Sequence, residues 1–582
     1  MTTLNKIVLF SLIVCLVGCQ QPNSGWSSYG QDHTNQRYSR LDQINNKNVQ
    51  GLKLAWQYQT GIKGTFQATP IVQDGIMYIS LPYNHVLAMN AKTGKVIWRY
   101  EHDRNRDWKM CCGPTNRGVA VHGEQLFMGT VDARLISLDI KTGHKLWDIN
   151  VVENIVGTES ISALNPSDPN REKKISGGTG VGISMAPVVY ENKVIVGITG
   201  VGYGLHVEGR EKDAPLGAVV GVAGRFGRPG FLAAYDIYSG KQVWQFDTIP
   251  AEGWEGDLSN YTKDGEVLNR DLLTEKESLL EYPDAAKYGG GSAWTTPAID
   301  KDTHTLFFGT GNPSPQMSDQ SRPGDNLYTV SLVALDANTG KLKWYYQQVP
   351  HDIWGYDVAS PPVIFHTIHK GKIIPAVGQA GKTGWFYIHN RNTGELLLKS
   401  EAFVPQNNMF SEASEEGTTI YPGILGGSNW SPVSVNIDQH LAYVSGIHAP
   451  IKYTRHEKIV NGKAVRYTSS EPTNDDQWGL LSAINLTDGK IRWQYRTDQP
   501  LLGGTLATKG NLVFVGEGNG NFSAVHGGSG EMLWSTKINA GVNAPAISYM
   551  INGKQYIAVV SGGNKIMGYK QGDYISVYQL PE

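Results

Sequence analysis

Cysteine is scarce in this sequence, with four in 582 residues. No Cys-x-x-Cys-His occurs, which excludes a covalently attached c-type haem in this chain. Neither sign of charge is in excess: 51 Lys and Arg stand against 53 Asp and Glu. A near-neutral chain of this kind carries no electrostatic footprint for nucleic acid or for an anionic membrane surface. No full Walker P-loop and no His-Glu-x-x-His zinc motif is found. Gly200-Val201-Gly202-Tyr203-Gly204 is not a nucleotide fingerprint, because no βαβ pattern surrounds it. Beyond the first residues, no apolar run is long enough to make a transmembrane helix.

The first residues do have a pattern. Lys6 precedes a largely apolar run, residues 7–17, which is too short to span a bilayer. The run ends Leu16-Val17-Gly18-Cys19. This resembles a bacterial lipoprotein box, and the resemblance implies a signal peptide at residues 1–18 and a lipid on Cys19. Gln20 in place of Asp then implies the outer membrane of a Gram-negative cell, facing the periplasm. A plain secretory signal is the other reading. Cys111 and Cys112 remain, side by side, in an oxidising compartment.

Glycine is abundant, 68 of 582 or about 12 per cent, well above the usual ~7 per cent, and it is spread along the chain. So many turns in so long a chain point to a repeat architecture. One phrase recurs: small, apolar, Asp or Asn, two residues, Thr or Ser, Gly, then Trp four residues after the Gly. It is present at Ala88…Gly94…Trp98, Ser137…Gly143…Trp147, Ala234…Gly240…Trp244, Ala334…Gly340…Trp344, Ala483…Gly489…Trp493 and Ala524…Gly530…Trp534. A further copy, Ile388-His389-Asn390…Gly394, has Leu398 at the Trp position, and Trp56 supplies an eighth without the preceding half.

The phrase is a β-hairpin, with turn chemistry at Asp/Asn-x-x-Thr/Ser-Gly between alternating strands. A Trp at a fixed offset fills the gap between neighbouring sheets. One such unit cannot bury its faces alone, and a closed ring of four-stranded antiparallel sheets solves this. The expected fold is all-β: a single eight-bladed β-propeller over residues 19–582. Three longer intervals read as insertions. Residues 251–288 include a helix-like stretch at 271–287, residues 197–230 are Gly-rich, and residues 450–476 are polar. Long loops on one face of such a ring usually build a binding site.

Several motifs narrow the family. Cys111-Cys112-Gly113-Pro114-Thr115-Asn116-Arg117-Gly118, Gly290-Gly291-Ser292-Ala293-Trp294, Gly309-Thr310-Gly311-Asn312-Pro313, Gly381-Lys382-Thr383-Gly384 and Gly426-Gly427-Ser428-Asn429-Trp430 follow one another along the chain. Together they resemble the pyrroloquinoline quinone (PQQ)-dependent alcohol and sugar dehydrogenases, over essentially all of the mature chain. The resemblance implies that Cys111 and Cys112 form a disulfide whose ring packs on one face of PQQ, with Trp294 on the other. Two buried free thiols are the other reading, because adjacent Cα atoms lie ~3.8 Å apart, below the ~4.4–6.8 Å usual for disulfides. It implies that Gln67, Arg117, Ser184, Lys382 and Asn429 contact the cofactor rim. Lys382 takes the position beside the reactive ortho-quinone carbonyls, where a cation stabilises negative charge as the quinone is reduced.

The resemblance also implies Ca²⁺, or a lanthanide, as a Lewis acid, and an Asp as general base. Here the pattern departs. Asn312 matches a metal ligand, but the family's Glu falls on Gly202 in one alignment and on Arg225 in another. Gln67 stands where an acidic cofactor contact is usual. In His351-Asp352-Ile353-Trp354-Gly355-Tyr356-Asp357 the usual catalytic Asp is Gly355. Asp357, two residues on, matches the second Asp of lanthanide-dependent relatives and becomes the candidate for both base and metal ligand. If the segment is extended, residues 355 and 357 project to one side, so Asp357 faces the same cavity; a structural, turn-capping Asp is the other reading. Arg225, if it enters the cavity, would replace the metal's charge.

The expected function is therefore PQQ-dependent oxidation of an alcohol, polyol or sugar, with electrons passed to a separate periplasmic cytochrome or quinone. Contact with a membrane is expected only through the lipid anchor. The alternatives are a non-catalytic outer-membrane propeller lipoprotein serving as an assembly scaffold, and a PQQ-binding protein without turnover.

Overall fold

The computed structural model describes residues 25–104, 114–152, 181–201, 228–460 and 463–581. Its organising unit is the four-stranded antiparallel meander. The first runs Ile71–Gln73, Ile76–Ser80, Val86–Asn90, Val96–Tyr100 in chain order. Further sheets begin at Ala120–His122, Val188–Tyr190, Ala298–Asp300, Val363–His369, Ser434–Asn436 and Leu506–Thr508. The last is assembled from both ends of the described chain. Lys53–Gln59 pairs with Tyr574–Gln579, which pairs with Lys554–Ser561 and then Ile547–Ile551. This pairing joins the early strand to the late ones, so Tyr574–Gln579 is not left as an open edge.

The repeated tryptophans link each sheet to the next. The indole N–H groups of Trp56, Trp98, Trp147, Trp244 and Trp344 donate to the carbonyls of Ala91, Ile140, Ile237, Ala337 and Arg391, each in the following sheet. Trp493 donates to Gly527 and Trp534 to Leu52, which returns the series to the sheet of Trp56. Leu398 lacks an indole and makes the same step by packing beneath Gly489. The turn glycine is required here. Gly143 has φ of 73°, and a Cβ on it would lie 2.6 Å from Cε3 of Trp98. The preceding Asp139 carboxylate accepts from the Lys141 and Thr142 backbone N–H groups, closing the turn.

First strands of several neighbouring sheets pack against one another, as Ala120–His122 does against Val188–Tyr190 and Ala298–Asp300 against Val363–His369, which places these strands innermost. The segment ahead of Tyr38–Ser39 crosses one end of this inner ring. Asn35 Nδ2 donates to the Thr296, Pro297 and Pro362 carbonyls, and Gln36 to Ile364. The fully buried Arg37 donates to the Thr505, Tyr29 and Ala546 carbonyls. Backbone carbonyls of the inner strands are thus satisfied by one short segment, as buried polar groups must be.

Two insertions decorate the ring. Asp271 caps the helix Leu272–Glu281 through the Thr274 N–H, within the stretch expected to be helical. The polar insertion at 450–476, read as an inserted loop, is built largely of strands. Ile451–Val460 and Lys463–Pro472 pair as a long hairpin, joined by Thr418–Ile420 into a separate three-stranded sheet. Of the Gly-rich insertion at 197–230, residues 202–227 lie outside the described residues, as do Gly202 and Arg225. The signal segment, Cys19, Cys111 and Cys112 lie outside them as well. No helix among the described residues is long and apolar enough to cross a membrane.

Candidate active site

In an antiparallel meander, the start of the first strand, the end of the second and the start of the third lie at one end of the sheet. The candidate residues fall at these places. Gln67, Arg117, Ser184, Trp294, Asp357 and Asn429 precede innermost strands, Asn312 follows the second strand of its sheet, and Lys382 lies between the second and third strands of its own. Gln67, Ser184, Trp294 and Asn429 each stand three residues ahead of a proline: Pro70, Pro187, Pro297 and Pro432. Backbone bonds tie these segments together around the axis. Thr69 N–H donates to the Arg117 carbonyl and Arg117 N–H to the Ser184 carbonyl, both at 3.0 Å.

Arg117 is buried, and its guanidinium lies over two indoles, 4.9 Å from the Trp294 ring centroid and 5.5 Å from that of Trp430. Nη1 donates to Ser184 Oγ at 2.8 Å and to the Trp294 carbonyl at 3.2 Å. Nε has no partner, and no carboxylate pairs with the group among the described residues. Burial lowers its pKa to about 10, which leaves it cationic at neutral pH. A buried charge without a counter-ion costs several kcal/mol unless something pairs with it. The site is therefore shaped for an anionic group lying beside flat aromatic walls. Gln67 Oε1 is also buried and unpartnered among the described residues.

The acidic side is built around Asp352. This fully buried carboxylate accepts from the Trp354, Gly355 and Tyr356 backbone N–H groups and from Asn312 Nδ2 at 2.6 Å. It curls the segment into a turn, with Gly355 at φ of 91°. The condition of an extended segment is therefore not met at Gly355, and Asp352 is the residue that caps the turn. Asp357 is free of that duty. Its Oδ2 accepts from Lys382 Nζ at 3.1 Å, and the same ammonium donates to the Gly355 carbonyl at 2.8 Å. Burial raises the Asp357 pKa, Lys382 opposes that, and Asp352 adds to it; the net direction is up. A carboxylate so placed is matched to taking a proton nearer neutral pH.

Asn312 is fixed by its bond to Asp352, which leaves Oδ1 without a partner among the described residues. Asn312 and Asp357 offer a cation two donors, one already on an ammonium. No group of three or more His, Cys, Asp or Glu among the described residues forms a metal site. Calcium takes about six to eight oxygens, so the described residues do not by themselves fit it.

The sequence profile of the PQQ glucose/ethanol/alcohol dehydrogenase β-propeller domain matches residues 26–412 and 400–557. The chain belongs to this family. The quinohemoprotein alcohol dehydrogenase of Comamonas testosteroni is 31% identical over 577 residues, covering 93% of this chain and 73% of that protein. Its crystal structure superposes with a TM-score of 0.76 over 97% of this chain and 82% of that one. The quinoprotein alcohol dehydrogenase PedH of Pseudomonas putida is 30% identical, covering 94% of this chain and 89% of that protein. A europium-containing methanol dehydrogenase gives a TM-score of 0.76 at 25% identity, over 96% and 99%.

Within this quinoprotein, the structure brings Arg117, Ser184 and Trp294 together, and separately Asn312, Asp357 and Lys382. Asn429 instead serves its own loop, with Nδ2 on the Leu425 carbonyl and Oδ1 accepting from the Trp430 N–H. The neighbouring Trp430 is the residue that reaches Arg117. Sequence reasoning also missed Asn543, fully buried with neither amide atom partnered among the described residues. It stands two residues ahead of Pro545, not three, and ahead of the innermost strand Ile547–Ile551, so the proline spacing above does not locate it.

Gly355 does not accept a side chain freely. A Cβ there would lie 2.6 Å from Ile424 Cγ1 and 2.8 Å from Gln316 Nε2, in the left-handed region. Gly355→Asp is expected to lower the melting temperature, at a cost of roughly 1–3 kcal/mol from overpacking and strain, without raising activity. A more active Gly355→Asp enzyme would contradict this geometry.

Proposed function

We propose that this chain oxidises a small alcohol, polyol or sugar using bound PQQ. The observation that carries the reading is the buried, uncompensated Arg117 against the Trp294 and Trp430 rings, in a chain of this family. When bound, PQQ would supply an ortho-quinone as the hydride acceptor. Arg117 and Gln67 bind the polar rim of the cofactor, and Trp294 fixes its plane. Asp357, rather than a residue at position 355, takes the proton from the substrate hydroxyl on an Oδ atom. Lys382 holds that carboxylate in place and sets a positive charge at the reacting end. No step is assigned to a metal. The second wall is assigned to Cys111 and Cys112 by family resemblance alone, since both lie outside the described residues. An external cytochrome or quinone takes the electrons, and the protein works in the periplasm, tethered to the outer membrane by lipid on Cys19.

A dye-linked assay tests the activity. Purified protein is expected to reduce the dye with primary alcohols, polyols or sugars only after PQQ is added. Dye reduction independent of PQQ, or none with any substrate of the three classes once PQQ is bound, would overturn the proposal.

A further inference from the structure

Gln316 is 2% exposed, yet neither its Oε1 nor its Nε2 has a hydrogen-bond partner among the described residues. Leaving a buried donor or acceptor unmade costs ~1–3 kcal/mol, and an amide has one acceptor and two N–H donors to satisfy. The side chain is not loosely placed. Arg322, itself fully buried, donates through Nη2 to the Gln316 carbonyl at 3.2 Å and to the Asp352 carbonyl at 2.8 Å. Its Nε donates to the Pro315 carbonyl at 2.7 Å. One guanidinium thus pins the Gln316 loop to the turn that carries Gly355 and Asp357.

The result is that Gln316 Nε2 and Ile424 take up the space beside Gly355 that a side chain there would fill. The Gly355 carbonyl is bonded to Lys382 Nζ, and Lys382 to Asp357. The amide therefore lies beside Gly355, whose carbonyl shares the Lys382 ammonium with the proton-accepting carboxylate. A simple alcohol has one hydroxyl, which Asp357 engages, and leaves the amide unanswered. A substrate with a second hydroxyl close to the first answers both.

We infer that Gln316 is a specificity residue that selects substrates carrying a second hydroxyl near the reacting one, that is, vicinal diols and polyols. The inference rests on the reading of Asp357 and PQQ given above. Restoring one such hydrogen bond corresponds to about tenfold in affinity.

The test compares wild type with Gln316→Met, which keeps the length of the side chain, and with Gln316→Glu, which keeps an acceptor. PQQ titration of all three comes first and shows that the variants fold and load. Kinetics then compare propane diol with propanol. Binding to the PQQ-loaded protein is measured by calorimetry with pinacol, which has no carbinol hydrogen to lose, and with the same carbon skeleton lacking one hydroxyl. The expected result is a preference of about tenfold for the diol of each pair in wild type, abolished in Gln316→Met and partly kept in Gln316→Glu. Equal preference in wild type and Gln316→Met, with PQQ bound in both, overturns the role of Gln316 alone. Failure of wild type to bind PQQ overturns this inference together with the reading beneath it. If Gln316→Met fails to load, Gln316→Glu decides: a diol preference reduced from that of wild type in both assays supports the inference, and one equal to wild type overturns it.

Discussion

Replacing Asp357 by Asn lowers kcat by about 10²–10⁴, the range of general acid–base catalysis, and leaves PQQ affinity within a few fold. The carboxamide keeps the shape of the side chain and can still accept from Lys382, so what is lost is the proton acceptor. The pH dependence separates this from a structural effect. A base must be ionised to act, and burial raises the Asp357 pKa above the ordinary carboxylate range. In wild type, kcat is expected to rise with pH through that raised value, and in Asp357→Asn the acidic limb disappears. Stability runs the other way. With the folded pKa above the unfolded one, the folded state binds the extra proton, so this group's contribution falls as pH rises through the window between them. Asp357→Asn flattens that slope. Equal kcat values, or an unchanged acidic limb, would place the base elsewhere.

Lys382→Met has the second large effect, and it divides between stability and rate. Lys382 and Asp357 are both buried and paired at 3.1 Å. Removing one partner of a buried pair leaves an uncompensated charge and costs about 3–5 kcal/mol. The melting temperature of Lys382→Met is expected to fall, most at neutral and higher pH where Asp357 is ionised. Adding Asp357→Asn to the same chain is expected to recover part of the loss, because the orphaned charge goes with it. In the PQQ-loaded enzyme the lost cation also costs roughly 10²–10³ in kcat, as for a removed transition-state donor. Strictly additive melting shifts in the double variant would show that the two groups do not interact.

The ring was legible in the sequence because its units repeat one local device. Each turn needs an Asp or Asn, a Gly with φ > 0 and a Trp at a fixed offset, and Trp56 and Leu398 could be placed by offset alone. The residues beneath Trp294 and around Lys382 were legible through the motifs that hold them. The missing features are those without a local signature. The hairpin Ile451–Val460 and Lys463–Pro472 sets its few apolar residues, such as the buried Ile451 and Tyr453, among many polar ones, so alternation gives only a short strand signal. The turn at Gly355 is made by Asp352, whose Asx-type bonds to the next backbone N–H groups outweigh an extended reading. Arg37 donates to the Thr505 and Ala546 carbonyls, hundreds of residues away, and no spacing announces that. The unpaired amides of Gln316 and Asn543 emerge only when the whole ring encloses them.

The central claim is that Arg117, Trp294 and Trp430 form one wall of a PQQ site. It is tested most directly by titrating purified apo-protein with PQQ, with and without Ca²⁺, following tryptophan fluorescence and quinone absorbance. The expected result is saturable binding that quenches the fluorescence, weakened by about tenfold or more in Trp294→Ala, since a stacked aromatic contributes ~0.5–1.5 kcal/mol beyond its buried area, and weakened further in Arg117→Met. Absence of saturable binding under either metal condition, or binding that both variants leave unchanged, would contradict it.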